Sequence, residues 1–323
     1  MYKRALEAVV IETSKAFPVL LVTGPRQVGK TTLLESVAED KRNYVSLDDP
    51  LARQLAKEEP QLFLQRYEPP VIIDEIQYAP ELLPYIKLHV DRNRKNGDFW
   101  LTGSQMFHMM KGVSESLAGR VGIIPMQGLS TAEINSLANE PYTTDSQRLL
   151  NRVRQVRKMT LSEVYDRIFK GSMPAIYKEE QNIERYYASY VDTYVRRDIR
   201  DLSQVADEMQ FQRFLTACAA RTSQMVNYSD LAKDVGISPP TAKNWLSILV
   251  SSGIVVLVEP YFNNALKRII HGPSGQGTVV WSEIGGVRAL VAGKESSVIL
   301  CRKAGMAIVS ALPALLGNPC PRA

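Results

Sequence analysis

Residues Gly24-Pro25-Arg26-Gln27-Val28-Gly29-Lys30-Thr31 follow the apolar run Val19-Leu20-Leu21-Val22 and precede Thr32-Leu33-Leu34-Glu35-Ser36-Val37-Ala38. This is the order strand, glycine-bounded loop, helix, and the loop fits G-x-x-x-x-G-K-[ST], a pattern that constrains the fold more than any other stretch. Gly24 and Gly29 let the backbone curl so that its N–H groups converge on phosphate oxygens. The following helix adds its unsatisfied donors and the positive end of its dipole. The nucleotide-binding stretch is then Gly24, Pro25, Arg26, Gln27, Val28, Gly29, Lys30, Thr31 and Thr32. Within it Lys30 reaches the β- and γ-phosphates, and the Thr31 hydroxyl is placed to ligate Mg²⁺.

A second apolar run, Val71-Ile72-Ile73, ends in Asp74-Glu75. That is the pattern of a fully buried parallel strand whose C-terminal end faces a site. Asp74 is expected to share the Mg²⁺ shell with Thr31, and Glu75 to orient or deprotonate an attacking water. Strands near 19–24, 43–48, 71–75, 99–103 and 121–126 alternate with helical stretches. The fold class is therefore α/β, with a parallel sheet covered on both faces. Ser104 and Gln105, at the tip of the fourth strand, are candidates for positioning water or sensing the γ-phosphate. Arg120, at a strand start read as on or near the phosphate side, is a candidate to neutralise charge on the transferred phosphoryl, in cis or from a neighbouring subunit. The competing reading is a structural arginine. His89, on the helix expected over 79–96, reads as a surface or packing residue.

Charge sets weak limits. The chain has 39 basic and 34 acidic residues among 323, a net charge of +5 that suits nucleic acid without demanding it. Its three cysteines, Cys218, Cys301 and Cys320, show no C-x-x-C spacing. They point away from a zinc site or a disulfide framework and towards a reducing, cytoplasmic setting. No signal-type stretch opens the chain, and the apolar stretch from Gly305 to Gly317 is too short for a bilayer and contains Pro313.

Beyond the five-stranded region the sequence turns helical. Arg148, Arg152, Arg154, Arg157 and Lys158 read as a solvated helical face. A long helix is expected over 182–202, with Tyr187, Tyr190 and Tyr194 as a packing stripe and Arg196, Arg197 and Arg200 on its charged side. From Phe211 the pattern becomes three helices and a hairpin. Ser229 is placed to cap the second helix and Gly236 to make the turn. Ser238 is placed to cap the third, with Pro239 at its first position. A strand over 253–261 is expected to turn at Asn263-Asn264 into 265–270. This is a winged helix-turn-helix pattern with the third helix in the recognition position. Lys233, Lys243, Lys267 and Arg268 favour DNA as its partner, and a lid or protein-docking role is the alternative.

The segments Gly24–Leu33, Ile73–Pro80, Leu101–Gln105, Ser116–Arg120, Phe169–Pro174, Tyr190–Tyr194 and Pro260–Asn264 together resemble the bacterial and archaeal AAA-type ATP-binding proteins that carry a C-terminal domain of uncharacterised function. The resemblance implies ATP as the nucleotide, with Lys30, Thr31, Asp74 and Glu75 in the phosphate, metal, metal and hydrolytic roles. It also implies a restriction-endonuclease-like domain at the end, but the likeness stops at Ile270, so nuclease activity is not carried over. A reading-frame change or truncation would account for the Gly-, Ala- and Val-rich tail, and a divergent ending, with Thr278 to Ile284 as a strand and Ile299 to Leu312 as a helix, is the alternative. The expected organisation is an ATPase core over 1–134, a helical region over 135–205, a winged helix-turn-helix over 206–270 and an atypical tail over 271–323. The expected function is Mg²⁺-dependent ATP hydrolysis coupled to the winged-helix module. The alternative is an ATP-gated DNA- or protein-binding regulator with negligible hydrolysis. A homo-oligomer and a protein partner are both left open.

Overall fold

The computed structural model describes residues 1–104, 113, 116–137, 143–155, 158–178, 181–195, 208–222, 224–258 and 278–281. Its elements run α1 (Glu7–Ala16), β1 (Val19–Thr23), α2 (Lys30–Val37), β2 (Asn43–Ser46), α3 (Pro50–Glu58), α4 (Pro60–Arg66), β3 (Val71–Asp74), a 3₁₀ turn (Ile76–Tyr78), α5 (Leu82–Asn93), β4 (Phe99–Gly103) and β5 (Val121–Pro125). They continue with α6 (Thr131–Ile134), α7 (Ser146–Gln155), α8 (Leu161–Lys170), α9 (Pro174–Lys178), α10 (Ile183–Tyr190), a π-helical turn (Val191–Val195), α11 (Glu208–Ala220), α12 (Tyr228–Val235), α13 (Pro239–Ser251), β6 (Val255–Val258) and β7 (Thr278–Trp281). The chain divides into two compact units: Met1–Asn139 with Ser172–Glu179 and Ser251–Gly253, and the remainder.

In the first unit β1 to β5 form one parallel sheet in the order β2-β3-β4-β1-β5. Strands 1, 3 and 4 are buried along their whole length, which is why they read as continuous apolar runs rather than alternating ones. Register sorts their side chains by face. Val19, Phe99 and Val121 are aligned, and all three join a core built with residues of α3, α4 and α5. Leu20, Trp100 and Gly122 are aligned one position on. There α1 lies against the sheet: Trp100 Nε1 donates to Ser14 Oγ at 2.8 Å. A Cβ on Gly122 would come within 2.3 Å of Thr13 Cγ2, so the close approach of α1 requires glycine at that position. The α/β class with both faces covered is the one the strand pattern predicts.

The stretch between β2 and β3 holds two helices, α3 and α4, rather than one. Pro60 cannot supply the N–H needed to continue α3, and it starts α4 instead.

In the second unit Tyr187 and Tyr190 of the expected stripe are buried, with the Tyr187 hydroxyl donating to the Lys170 carbonyl at 3.0 Å, and the Tyr194 side chain lies outside the described residues. The helix carrying it is α-helical only to Tyr190; Arg196, Arg197 and Arg200 lie outside the described residues. The three helices expected from Phe211 onward are α11, α12 and α13. Trp245 on α13 packs edge-on against Phe211 and Phe214 of α11, with ring centroids 5.1 and 5.5 Å apart. Arg221 closes the end of α11 onto α12 through Asp234 at 2.6 Å. The cap of α12 is Asn227, not Ser229: its Oδ1 accepts from the N–H groups of Ser229 and Asp230. Asparagine two residues earlier can reach both, and the helix accordingly starts at Tyr228.

Of the strand expected over 253–261, Val255–Val258 is β6. β6 pairs antiparallel with Thr278–Trp281. Residues 265–270, expected as its partner, lie outside the described residues, as do Lys267, Arg268 and all of the tail except 278–281.

Candidate functional site

The phosphate loop sits at the C-terminal end of β1, at the point in the sheet where β1 stands between β4 and β5. Such a switch point opens a crevice above the strand ends. Gly24 has φ 152°, and a Cβ there would fall 2.0 Å from the Met126 carbonyl oxygen, so only glycine lets the loop leave the strand so close to β5. Gly29 (φ 91°) turns the chain into α2, and between them Gln27 also holds a positive φ of 60°. The Lys30 side chain is 5% exposed and lies back across the loop, its ammonium donating to the carbonyls of Gly24 (3.1 Å) and Pro25 (2.9 Å).

Facing the loop are the two carboxylates that end β3. Asp74 Oδ1 accepts from Thr31 Oγ1 at 2.7 Å and from the Thr102 hydroxyl of β4. Asp74 Oδ2 accepts from the Tyr44 hydroxyl of β2 at 3.4 Å. Partial burial, reinforced by the Asp74 charge, pushes the Tyr44 phenol up to about 12, so it stays a donor throughout the physiological range. The Thr102 oxygen accepts in turn from the Glu75 N–H at 3.0 Å. One buried hydroxyl thereby fixes the positions of both acidic residues.

Glu75 adopts the left-handed region (φ 57°, ψ 48°), sparsely populated for a residue with a side chain and characteristic of sites where geometry is imposed. Its Oε2 accepts from Ser104 Oγ at 3.1 Å and from the Gln77 amide. The Gln77 amide also donates to Ser104 Oγ at 3.1 Å. One residue on, the Tyr78 hydroxyl accepts from Arg26 of the phosphate loop at 3.4 Å, and the Arg53 guanidinium lies 4.3 Å from the Tyr78 ring centroid.

Behind the loop lies Arg4. Its Nη1 donates to the Val28 carbonyl (2.8 Å), its Nη2 to those of Gln127 (2.7 Å) and Gly128 (3.2 Å), and its Nε to Glu133 Oε1 (3.1 Å). Glu133 is buried too. Burial alone would raise its carboxyl, but the Ser130 and Ala5 N–H groups and the Arg4 charge outweigh this and hold it below the ordinary range.

The residues of the loop, Asp74, Glu75 and Ser104 therefore converge. Gln105 lies outside the described residues. Arg120 does not join them. Val121 pairs with Val19, so Arg120 stands at the start of the parallel strands, while the loop follows their ends. At about 3.3 Å per residue, the length of β1 separates the two. Arg120 instead grips exposed Asp91 of α5 with both its Nε (2.6 Å) and Nη2 (3.1 Å), raising its own pKa and lowering that of Asp91. Its placement on the phosphate side is thus corrected: a residue preceding a parallel strand lies at the opposite end from a loop that follows one. Arg4, Tyr44, Gln77 and Thr102 were not singled out from sequence.

The donor set suits the expected groups. Hydroxyl and carboxylate oxygens are hard ligands of the kind Mg²⁺ takes in small number, keeping its remaining positions for water and phosphate oxygens. Among the described residues no cluster of three or more His, Cys, Asp or Glu offers a fuller protein cage. In the second unit, Lys243, Asn244 and Ser247 are exposed on α13, opposite buried Trp245, Leu246 and Leu249, and Lys233 is exposed on α12.

A parallel five-stranded sheet with a glycine-bounded loop after β1 and an acidic pair at the end of β3, one strand removed across β4, defines a P-loop NTPase. More narrowly, residues 16–135 match the AAA domain and residues 161–273 match a domain of unknown function (DUF8612). Uncharacterized protein Rv2008c of Mycobacterium tuberculosis and Uncharacterized protein Mb2031c of Mycobacterium bovis are each 28% identical over 261 residues, covering 79% of this chain and 53% of their own length. The chain thus spans about half the length of the curated relatives it matches. The Walker-type ATPase PABY2304 of Pyrococcus abyssi shares the fold, with a TM-score of 0.54 at 15% identity over 90% of this chain and 96% of that one. The domain is a nucleotide-binding one of ATPase type. No helix among the described residues is long and apolar enough to cross a membrane.

Proposed function

We propose that the protein is an Mg²⁺-dependent ATPase that converts ATP and water to ADP and phosphate and transmits its nucleotide state to a winged helix-turn-helix. The observation that carries the reading is Glu75: its carboxylate follows directly on Asp74, is held by Ser104 and Gln77, and stands over the strand ends beside the phosphate loop. In this reading the loop from Gly24 to Thr32 binds the phosphates through its backbone, and Lys30 turns from the loop carbonyls to the β- and γ-phosphates. Thr31 and Asp74 would hold Mg²⁺, which supplies positive charge to the phosphate oxygens. Glu75 orients the attacking water and takes up its proton, while Ser104 fixes Glu75 against the γ-phosphate. Arg120, at the far end of the sheet, serves a nucleotide bound by a second copy of the chain, which makes a homo-oligomer the working form. ATP is preferred over GTP on the strength of the family.

We read the organisation as an ATPase core over 1–134, a helical region over 135–205, a winged helix-turn-helix over 206–270 and a tail from 271. The test is steady-state ATP hydrolysis with Mg²⁺ by the whole chain, beside Glu75→Gln and Lys30→Ala. Both variants should lose turnover, with ATP still bound by Glu75→Gln and lost from Lys30→Ala.

A second reading, an ATP-gated DNA-binding regulator with negligible turnover, is favoured by the polar face of α13, where Lys243, Asn244 and Ser247 are exposed in the recognition position. It requires ATP-dependent binding of duplex DNA that weakens steeply with salt, together with a parent chain that binds ATP but does not turn it over.

A further inference from the structure

Gln77 belongs to the 3₁₀ turn that follows Glu75 directly, and its side chain folds back on its neighbour. Its two amide hydrogens go to Glu75 Oε2 and Ser104 Oγ, while the single Ser104 hydroxyl hydrogen goes to the same Oε2. The three side chains form a closed ring in which every donor hydrogen is used. The amide cannot be turned over within this ring, because its carbonyl oxygen would then face a carboxylate oxygen. In the orientation observed, Gln77 Oε1 is buried without a hydrogen-bond partner among the described residues.

Both donors grip one oxygen of Glu75. None of the described residues donates to Oε1. A glutamate carboxylate has three rotatable bonds, and ordering it costs side-chain entropy at the moment of reaction unless the protein has already fixed it. Here the backbone is held by Thr102 and the carboxylate by Gln77 and Ser104.

We propose that Gln77 is a positioning residue for Glu75: with Ser104 it clamps Oε2, so that Oε1 alone is presented to the attacking water. The proposal rests on the ATPase reading above and goes beyond it, since it assigns the orientation of the catalytic carboxylate to a residue outside the phosphate loop and the Thr31–Asp74 pair.

The test uses the whole chain carrying Gln77→Ala or Gln77→Glu. Each should lower kcat at least tenfold, with KM and the dissociation constant for ATP within twofold of the parent. A kcat within twofold of the parent in Gln77→Ala, or loss of ATP affinity in step with kcat, would overturn the proposal. A second measurement does not depend on turnover. The side-chain amide resonances of Gln77, assigned by their disappearance in Gln77→Glu, should move in Glu75→Ala. Unmoved resonances would refute the clamp, whereas moved resonances in a parent that binds ATP without hydrolysing it would retain the clamp and refute only the ATPase reading.

Discussion

Thr31 and Asp74, 43 positions apart, are joined by a hydrogen bond of 2.7 Å from the hydroxyl to the carboxylate, so the first turn of α2 and the end of β3 are already in register for a shared ligand. In the ATPase reading proposed above, these are the two side chains that would hold Mg²⁺.

Asp74→Asn should therefore keep the fold but lose the metal dependence of nucleotide binding. We expect ATP affinity in the presence of a chelator to match that of the parent, and the gain on adding Mg²⁺ to fall at least tenfold. Titration of a fluorescent ATP analogue with and without Mg²⁺ measures both quantities. An undiminished gain would remove Asp74 from the metal shell.

Thr102 is fully buried and its hydroxyl serves Asp74 and the Glu75 N–H together. Thr102→Val preserves shape and deletes both bonds, leaving buried polar groups unpaired. Denaturant unfolding should show a loss of about 1–3 kcal/mol, and turnover should fall with it because Glu75 loses its backbone anchor.

Glu133 lies in the interior against Arg4, with side-chain exposures of 4% and 8%. Removing one member of such a pair strands the other, so Glu133→Ala should destabilise by about 3–5 kcal/mol. The sign of the pH dependence follows from the depressed carboxyl. The stabilisation is complete above the ordinary value of 4.5 and is lost as pH falls below it towards the folded-state value. Thermal melts of the parent and of Glu133→Gln across pH 3 to 7 should show this acid limb in the parent and a shallower one in the variant.

The Arg120–Asp91 pair lies at the surface, Arg120 half-buried and Asp91 exposed, and Arg120→Ala should leave the melting midpoint unchanged. In the proposed homo-oligomer its effect would belong to the assembly. Arg120→Ala and Glu75→Gln should each be inactive alone, and mixing them should restore turnover, since some interfaces then pair an intact arginine with an intact glutamate. Full activity of Arg120→Ala would make it a structural arginine.

The loop and the acidic pair were legible in the sequence because their chemistry is local. Gly24, Gly29, Lys30 and Thr31 are contiguous, and Asp74-Glu75 announces itself by ending an apolar run. The sheet was legible for the same reason, since strands buried on both faces leave uninterrupted apolar stretches. What was missed depends on distance or on end. Arg4 reaches Glu133 across 129 positions and no periodicity marks it. Arg120 was assigned to the wrong end because its strand was recognised without following the common direction of the sheet.

The Arg4 guanidinium has a consequence for how phosphate-loop motifs act. By holding the Val28 carbonyl together with those of Gln127 and Gly128, it ties the inside of the loop to the exit of β5 and to a helix more than a hundred residues away. The cradle is therefore moulded from behind. A chain could keep every letter from Gly24 to Thr31 and still lose its grip on a nucleotide through a change in its opening turn, so the competence of this motif is a property of the folded domain and not of the eight residues that identify it.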